Sequence, residues 1–419
     1  MKLALQSTKS RALVLAASSF LVFVFLANAA LQFLAARFST REDQTGLETA
    51  VRLQPYNAEY RYRLGMYFSL LQPDKAAQSY RMAVALNPYR AAYWLALARA
   101  YGSLDEMSAQ DGALTKATVM APTDPATTWE AANTYFSRGN VEQTLNQCQK
   151  LLHDDGPSFE RALPFCWRVK PDADFFLSQM LPRKAEDYES LLYFLMREEK
   201  TDASAKTWQE IIDIHNEVPR RLVFDYVHYL LVHQQTEPAF HVWQQAAPLA
   251  DLAEYQPSEN NLIVNGDFEE RVLNGGFDWL YQKSPHVSLS LDAGQNASDG
   301  RSLFMSFDKA QIEDAGIQQL VPIHADTTYD FSADFKAKEM EGAGGVHFVI
   351  QDAYSGNVLF ATKDLTDTSD WQQTSGSFTS GPNTTLLIVR LQRLPAGDVI
   401  KGKLWIDGVR LMERRMEQP

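Results

Sequence analysis

The chain has 419 residues, 45% hydrophobic and 22% charged, a composition of folded protein that is too long for one ordinary core. Two or three domains are therefore expected. A formal net charge of −13, with 22 acidic against 14 basic residues from Asn260 onward, excludes a nucleic-acid partner, because no basic stripe is available to neutralise phosphates.

At the N-terminus, Lys2, Lys9 and Arg11 precede an uncharged stretch over 12–36, which is closed by Arg37 and Arg41. As a helix the stretch would span roughly 37 Å, enough for a hydrocarbon core of ~30 Å. Residues 1–41 are predicted to be a membrane anchor. A cleavable signal peptide is the alternative, with Ala27-Asn28-Ala29 as a small-x-small site. The apolar run continues past that site through Leu31, Phe33 and Leu34, which favours the anchor. The flanking charges are nearly balanced, so they set orientation only weakly. Both readings place 42–419 outside the cytoplasm: anchored and periplasmic in the first case, secreted in the second.

From 42 to 257 the pattern is helical and periodic. Leu53-Gln54-Pro55, Leu86-Asn87-Pro88 and Met120-Ala121-Pro122 recur at helix–turn–helix spacing. Each proline ends a helix, having no N–H to extend the ladder. Within one unit Trp94, Leu97, Ala98 and Tyr101 share a face of the first helix, and Leu114, Ala117 and Pro122 follow in the second. The preceding unit supplies Leu64, Gly65, Phe68, Ala76, Tyr80, Ala83 and Pro88, and a third begins with Trp129, Ala132 and Phe136. This pattern resembles the tetratricopeptide repeat. The resemblance implies a solenoid that binds a protein or peptide, with Arg61, Arg99, Asn133 and Arg138 as candidate groove residues by helical phase. Over 158–182 Pro164 and Pro171 predict irregular helix, and further units are expected at 187–197, 203–215, 222–233 and 238–247. Cys148 and Cys166, the two cysteines, are too few for a zinc site and are a candidate disulfide between neighbouring helices, with two buried thiols as the alternative.

Near Gln256-Pro257-Ser258 the period changes to two. Tyr329, Phe331, Ala333 and Phe335 alternate with Asp330, Ser332, Asp334 and Lys336, and Val346, Phe348 and Ile350 with His347, Val349 and Gln351. Eight to ten strands are predicted over 258–419, separated by Gly, Asp, Asn and Ser, which reads as a β-sandwich. The domain opens Asn261-Leu262-Ile263-Val264-Asn265-Gly266-Asp267-Phe268-Glu269, with Gly276 and Trp279 after it, and closes Leu404-Trp405-Ile406-Asp407-Gly408-Val409-Arg410-Leu411. Gly300-Arg301-Ser302-Leu303, Tyr329-Asp330-Phe331-Ser332 and Trp371-Gln372-Gln373 fall between them. These residues resemble the galactose-binding-like jelly roll of family 4/9 carbohydrate-binding modules. The resemblance implies glycan binding, and a structural calcium ion held by the opening Glu269 and the closing Asp407. The closing motif of that family often carries two acids, whereas Gly408 follows Asp407 here, which weakens the calcium expectation.

A glycan site needs aromatic faces and polar groups that meet hydroxyls. The candidates are His347, Gln351 and Arg390 on strands and Tyr281 and Tyr354 on loops, with Asp334, Lys336 and Gln392 as further outward residues. The chain has no Gly-rich phosphate loop, Gly-x-Ser-x-Gly elbow or His-Glu-x-x-His pair, so no enzyme activity is expected. The fold class expected is multidomain, α then β: a membrane helix, a helical solenoid over 42–257 and a jelly-roll sandwich. The function expected is an extracytoplasmic adaptor between a protein and a polysaccharide, in exopolysaccharide or cell-envelope assembly. A purely structural scaffold and an accessory subunit of a polysaccharide-active enzyme are the alternatives.

Overall fold

The structure, a computed structural model, describes residues 8–153, 158–214, 217–297, 300–342, 344–368, 370–393 and 399–414. Lys2 and His215 lie outside them. The chain divides into two compact units, 1–182 and 183–419.

The first unit is helical. Helix α1 (Thr8–Ser39) is long and apolar enough to cross a membrane, and its large side chains from Leu13 to Leu34 are exposed. Helix α2 (Gln44–Leu53) pairs with α1, and three hairpin-like pairs follow: α3 (Ala58–Phe68) with α4 (Pro73–Leu86), α5 (Ala91–Ser103) with α6 (Met107–Met120), and α7 (Pro125–Ser137) with α8 (Val141–Leu152). Short polar side chains start several of these helices. Asp43, Asn57, Asp124 and Asn140 each accept a backbone N–H in the first turn of the helix that follows. Pro73 and Pro125 stand at first-turn positions that lack an intrahelical partner anyway.

The predicted packing residues fill the gaps between helices. Leu64, Phe68, Ala76, Tyr80, Ala83, Leu97, Ala98, Leu114, Ala117 and Ala132 are all buried. Gly65 lies against the Tyr80 ring, where a Cβ would collide, so α3 and α4 approach closely there. Trp94 is half-buried and donates its indole N–H to the Pro88 carbonyl at 2.8 Å, and the Trp129 ring lies 5.1 Å from that of Phe165. Arg99 and Arg138, expected to line a groove, pair with Glu130 and Asp111 on neighbouring helices.

The irregular stretch is α9 (Ser158–Val169), which carries Pro164 inside it, then α10 (Ala173–Phe175) and a π-turn over Phe176–Met180. Cys148 and Cys166 are buried neighbours on α8 and α9, and both are free thiols, so the expected disulfide is not formed here. Burial, then the contact with Cys148, raises the pKa of Cys166.

Among its described residues the second unit holds four α-helices, a short 3-10 turn (Ala253–Tyr255) and the sandwich. Helices α11 (Ala185–Arg197), α12 (Thr201–Ile214), α13 (Arg220–Val232) and α14 (Thr236–Ala246) match the predicted late units to within two residues at most ends. Ten strands follow among the described residues: β1 (Leu280–Tyr281), β2 (Val287–Asp292), β3 (Ser302–Ala310), β4 (Asp314–Pro322), β5 (Thr328–Glu341), β6 (His347–Asp352), β7 (Val358–Ala361), β8 (Gln372–Thr379), β9 (Leu386–Gln392) and β10 (Ile400–Glu413). They form two antiparallel sheets, ordered β1-β4-β9-β6-β7 and β2-β3-β10-β5-β8. Alternation decides the core between them: Tyr329, Phe331, Ala333, Phe335, Phe348 and Ile350 all point inward.

The opening segment is stitched to both sheets. Asn261 exchanges hydrogen bonds with the backbone of Val409 and Leu411 on β10. Buried Gln319 of β4 pairs its amide with both backbone groups of Val264, at 2.8 and 3.0 Å.

Helices α13 and α14 are packed into the sandwich rather than tethered to it. Gly275 and Gly276 pass beneath Phe224 of α13 and Trp243 of α14, and a Cβ at either glycine would enter a ring. Gly276 also has φ +62°, a region that side chains disfavour. Phe277 completes the junction edge-on to Trp243, with ring centroids 5.9 Å apart.

Candidate functional site

The outer face of the β1-β4-β9-β6-β7 sheet gathers the polar residues of three adjacent strands. Register places Asp314, Gln392 and His347 in one row across β4, β9 and β6. The next row is Gln318, Arg390 and Val349, and the third is Leu320, Ile388 and Gln351. These side chains point away from the core because Phe348, Ile350, Val389 and Leu391 occupy the opposite phase. One end of the face is therefore polar and the other apolar.

Arg390 is the hub of this face. Its guanidinium donates to Gln351 Oε1 at 2.8 Å and lies 3.7 Å from the Asp314 carboxylate, which Gln392 also approaches. Its Nε is buried without a hydrogen-bond partner, leaving one charged donor unused. His347 Nδ1 lies 3.2 Å from Asp364 Oδ1, in the connection from β7 to β8. His347 and Gln351 are only 6% and 9% exposed, so they form the floor, with Arg390, Asp314 and Gln318 half-exposed above it.

Three of the five sequence candidates, His347, Gln351 and Arg390, thus share this face. The other two do not. Tyr281 pairs with Ile317 at the sheet edge and faces an opening between β1 and β2, lined by Val287, Leu289, Leu291 and Leu303, of about 790 Å³. The Tyr354 hydroxyl lies 2.8 Å from that of Thr236 on α14, and so acts as a strut between helix and sandwich. Asp334 and Lys336 lie on β5 in the other sheet. Period-two reading gives the face of each residue but not which strands become neighbours, and for that reason it does not find Asp314 and Asp364.

Glu269 and Asp407 converge on one loop. Asp407, fully buried on β10, accepts the Ala297 N–H at 2.9 Å, and Glu269, in the opening loop rather than on a strand, accepts the Arg301 N–H at 2.6 Å. Both carboxylates therefore hold the connection from β2 to β3. They are hard oxygen donors of the kind calcium takes, although Asp407 also accepts the Gly408 N–H. No cluster of three acidic, His or Cys residues at metal distance occurs among the described residues.

Beside the glycine junction, Asp278 is fully buried and accepts the Leu273 N–H, while its other oxygen has no partner. Burial pushes its pKa up to about 6, against the backbone N–H groups of Leu273 and Trp279, which lower it.

Residues 260–396 match the family model described as "Carbohydrate binding domain" (CBM_4_9). A CBM4 structure is similar at 18% identity, covering 36% of this chain and 99% of its own, with a TM-score of 0.29. The CBM22-1 xylan-binding domain of Paenibacillus barcinonensis Xyn10C is similar at 15% identity, covering 36% and 93%, with a TM-score of 0.25. Over a larger part of the chain, a MamA structure is similar at 14% identity, covering 55% and 97%, with a TM-score of 0.26. No curated protein matches the chain. The C-terminal sandwich is a CBM4/9-like carbohydrate-binding domain.

Proposed function

We propose that this chain is a non-enzymatic, membrane-tethered adaptor that holds a polysaccharide on the outer face of the β1-β4-β9-β6-β7 sheet. The observation that carries the reading is the polar patch on a CBM4/9-like domain: half-exposed Arg390 and Asp314 stand over the nearly covered amides of Gln351 and Gln392, donors and acceptors side by side as sugar hydroxyls require. In this reading helices α2 to α8 are a tetratricopeptide-type array that takes a protein partner. The Pro-terminated spacing and the small residues at helix contacts support it. The anchor reading of α1 puts the rest of the chain outside the cytoplasm, in the periplasm of a bacterium, where exopolysaccharide or cell-envelope assembly would supply both partners.

The test is retention of the full chain on immobilised polysaccharides. Gln351→Ala and Arg390→Ala each remove a donor or acceptor from the patch and are expected to weaken retention about tenfold, on the order of 1–2 kcal/mol for a lost hydrogen bond. Unchanged retention in both variants sinks the assignment to this face.

A second reading is favoured by the floor itself. His347 and Gln351 are nearly covered, and neither candidate tyrosine lies on the face, so these candidates give it no aromatic platform. In that case the sandwich is a structural part of a protein scaffold, or of an accessory subunit serving a polysaccharide-active enzyme, and no polysaccharide retains it.

Calcium belongs to this proposal as a structural addition. Glu269 and Asp407 would hold the ion, and its charge would fix the loop they already grip. A melting temperature that chelator lowers and calcium restores supports it, and one that chelator leaves unmoved removes it.

A further inference from the structure

Helix α1 does not end in a flexible tether. Its last turns carry buried Ala35 and Ser39 and pack against α2, with Gly46 of α2 set directly against the Phe38 carbonyl. The connection between the helices is four residues, 40–43, and Asp43 caps α2. So short a link makes the two helices antiparallel neighbours. Helix α2 therefore runs back along α1, toward the side on which the exposed apolar part of α1 projects.

The lengths then place one edge of the array. A hydrocarbon core of ~30 Å takes about 20 helical residues, so a span beginning at Ala12 ends near Leu31 and leaves 32–39, about 12 Å, outside it. Helix α2 has 10 residues, about 15 Å long. Its far end thus returns to the level at which α1 leaves the hydrocarbon. At that end stands Tyr56, 86% exposed, in Pro55-Tyr56-Asn57. Helix α4 runs the same way as α2, two helices on, and ends in Pro88-Tyr89-Arg90, with Tyr89 80% exposed. Two exposed tyrosines at equivalent turns suit the headgroup layer, where an aromatic ring and a hydroxyl are both accommodated.

We propose that the edge of the helical array formed by the α2–α3 and α4–α5 turns lies on the membrane surface, with Tyr56 and Tyr89 as interfacial contacts. The proposal rests on the anchor reading of α1 and adds to it an orientation: the array stands on the bilayer rather than swinging from it. Exposed apolar residues alone do not single out this edge. Leu70 and Leu71, at 92% and 87%, are more exposed still, but they lie in the α3–α4 turn at the opposite edge and are placed in water.

The experiment uses the full chain in vesicles of phosphatidylcholine and phosphatidylglycerol, with an environment-sensitive fluorophore on Phe23→Cys, Tyr56→Cys, Tyr89→Cys or Leu70→Cys in separate samples. The native thiols are buried and are not competing labelling sites. Nitroxide lipids are expected to quench positions 23, 56 and 89 several-fold more than position 70. If 23 is quenched while 56 and 89 behave like 70, the anchor stands and the proposed edge contact is wrong. If 23 itself is unquenched, the anchor reading fails and the edge contact falls with it.

Discussion

Asp278 shows how a single buried group can make the second unit sensitive to pH. Its folded pKa of about 6 lies above the ordinary carboxylate value of 3.8, so the folded state binds the proton more tightly than the unfolded state. The sign follows: stability is lost as pH rises through the window between those values, and the cost is complete above pH 6, on the order of 3 kcal/mol. Asp278→Asn is therefore expected to raise the melting temperature of the chain at pH 7 and to have little effect near pH 4. An equal shift at both values would show that charge is not the cause. Gly276 is the other residue on which this junction turns. With φ +62° and the Trp243 ring against it, Gly276→Ala combines backbone strain with overpacking and is expected to cost about 3 kcal/mol in chemical denaturation. Asp278 carried no sequence signal, because an acid in a Gly-rich segment reads as a solvated turn. The glycine pair did carry one, since adjacent glycines mark a turn or a close approach, but nothing in the sequence named Trp243 as the ring above them.

Among the elements, periodicity accounts for most boundaries. Strand β5 alternates as its residues require, whereas β6 is buried along its whole length, and the helices end where Pro55, Pro88 and Pro122 stop them. What periodicity could not supply was the allegiance of α13 and α14. Their apolar faces read as two more units of a solenoid, yet Phe224, Trp243 and the Thr236 hydroxyl are turned to the sandwich. A helix face is visible in sequence, but its partner is a long-range fact. The same limit explains Tyr354, which reads as a free loop aromatic and is a strut. The consequence is measurable: residues 258–419 alone leave the Gly275–Gly276 segment uncovered and are expected to melt well below 183–419, which carries its own helices. Equal melting temperatures for the two fragments would mean that the helical contact contributes little to the sandwich.

For the whole molecule, the sequence supported an apolar helix, a helical region and a sandwich, and the two family-like ends of the sandwich located a CBM4/9-like domain. The site was only partly legible. His347, Gln351 and Arg390 fell on one face because they share an outward phase on neighbouring strands, whereas Asp314 and Asp364 joined them through pairing that no local pattern encodes. The claim that unites these parts is that the face around Arg390 holds a polysaccharide. Affinity electrophoresis of the full chain through gels containing defined soluble polysaccharides, run beside Arg390→Ala, tests it most directly. Retardation of the native chain by at least one polysaccharide, relieved by the substitution while the melting temperature is unchanged, is the result expected. Equal mobility of the native chain in every gel, or retardation that Arg390→Ala leaves intact, would contradict it.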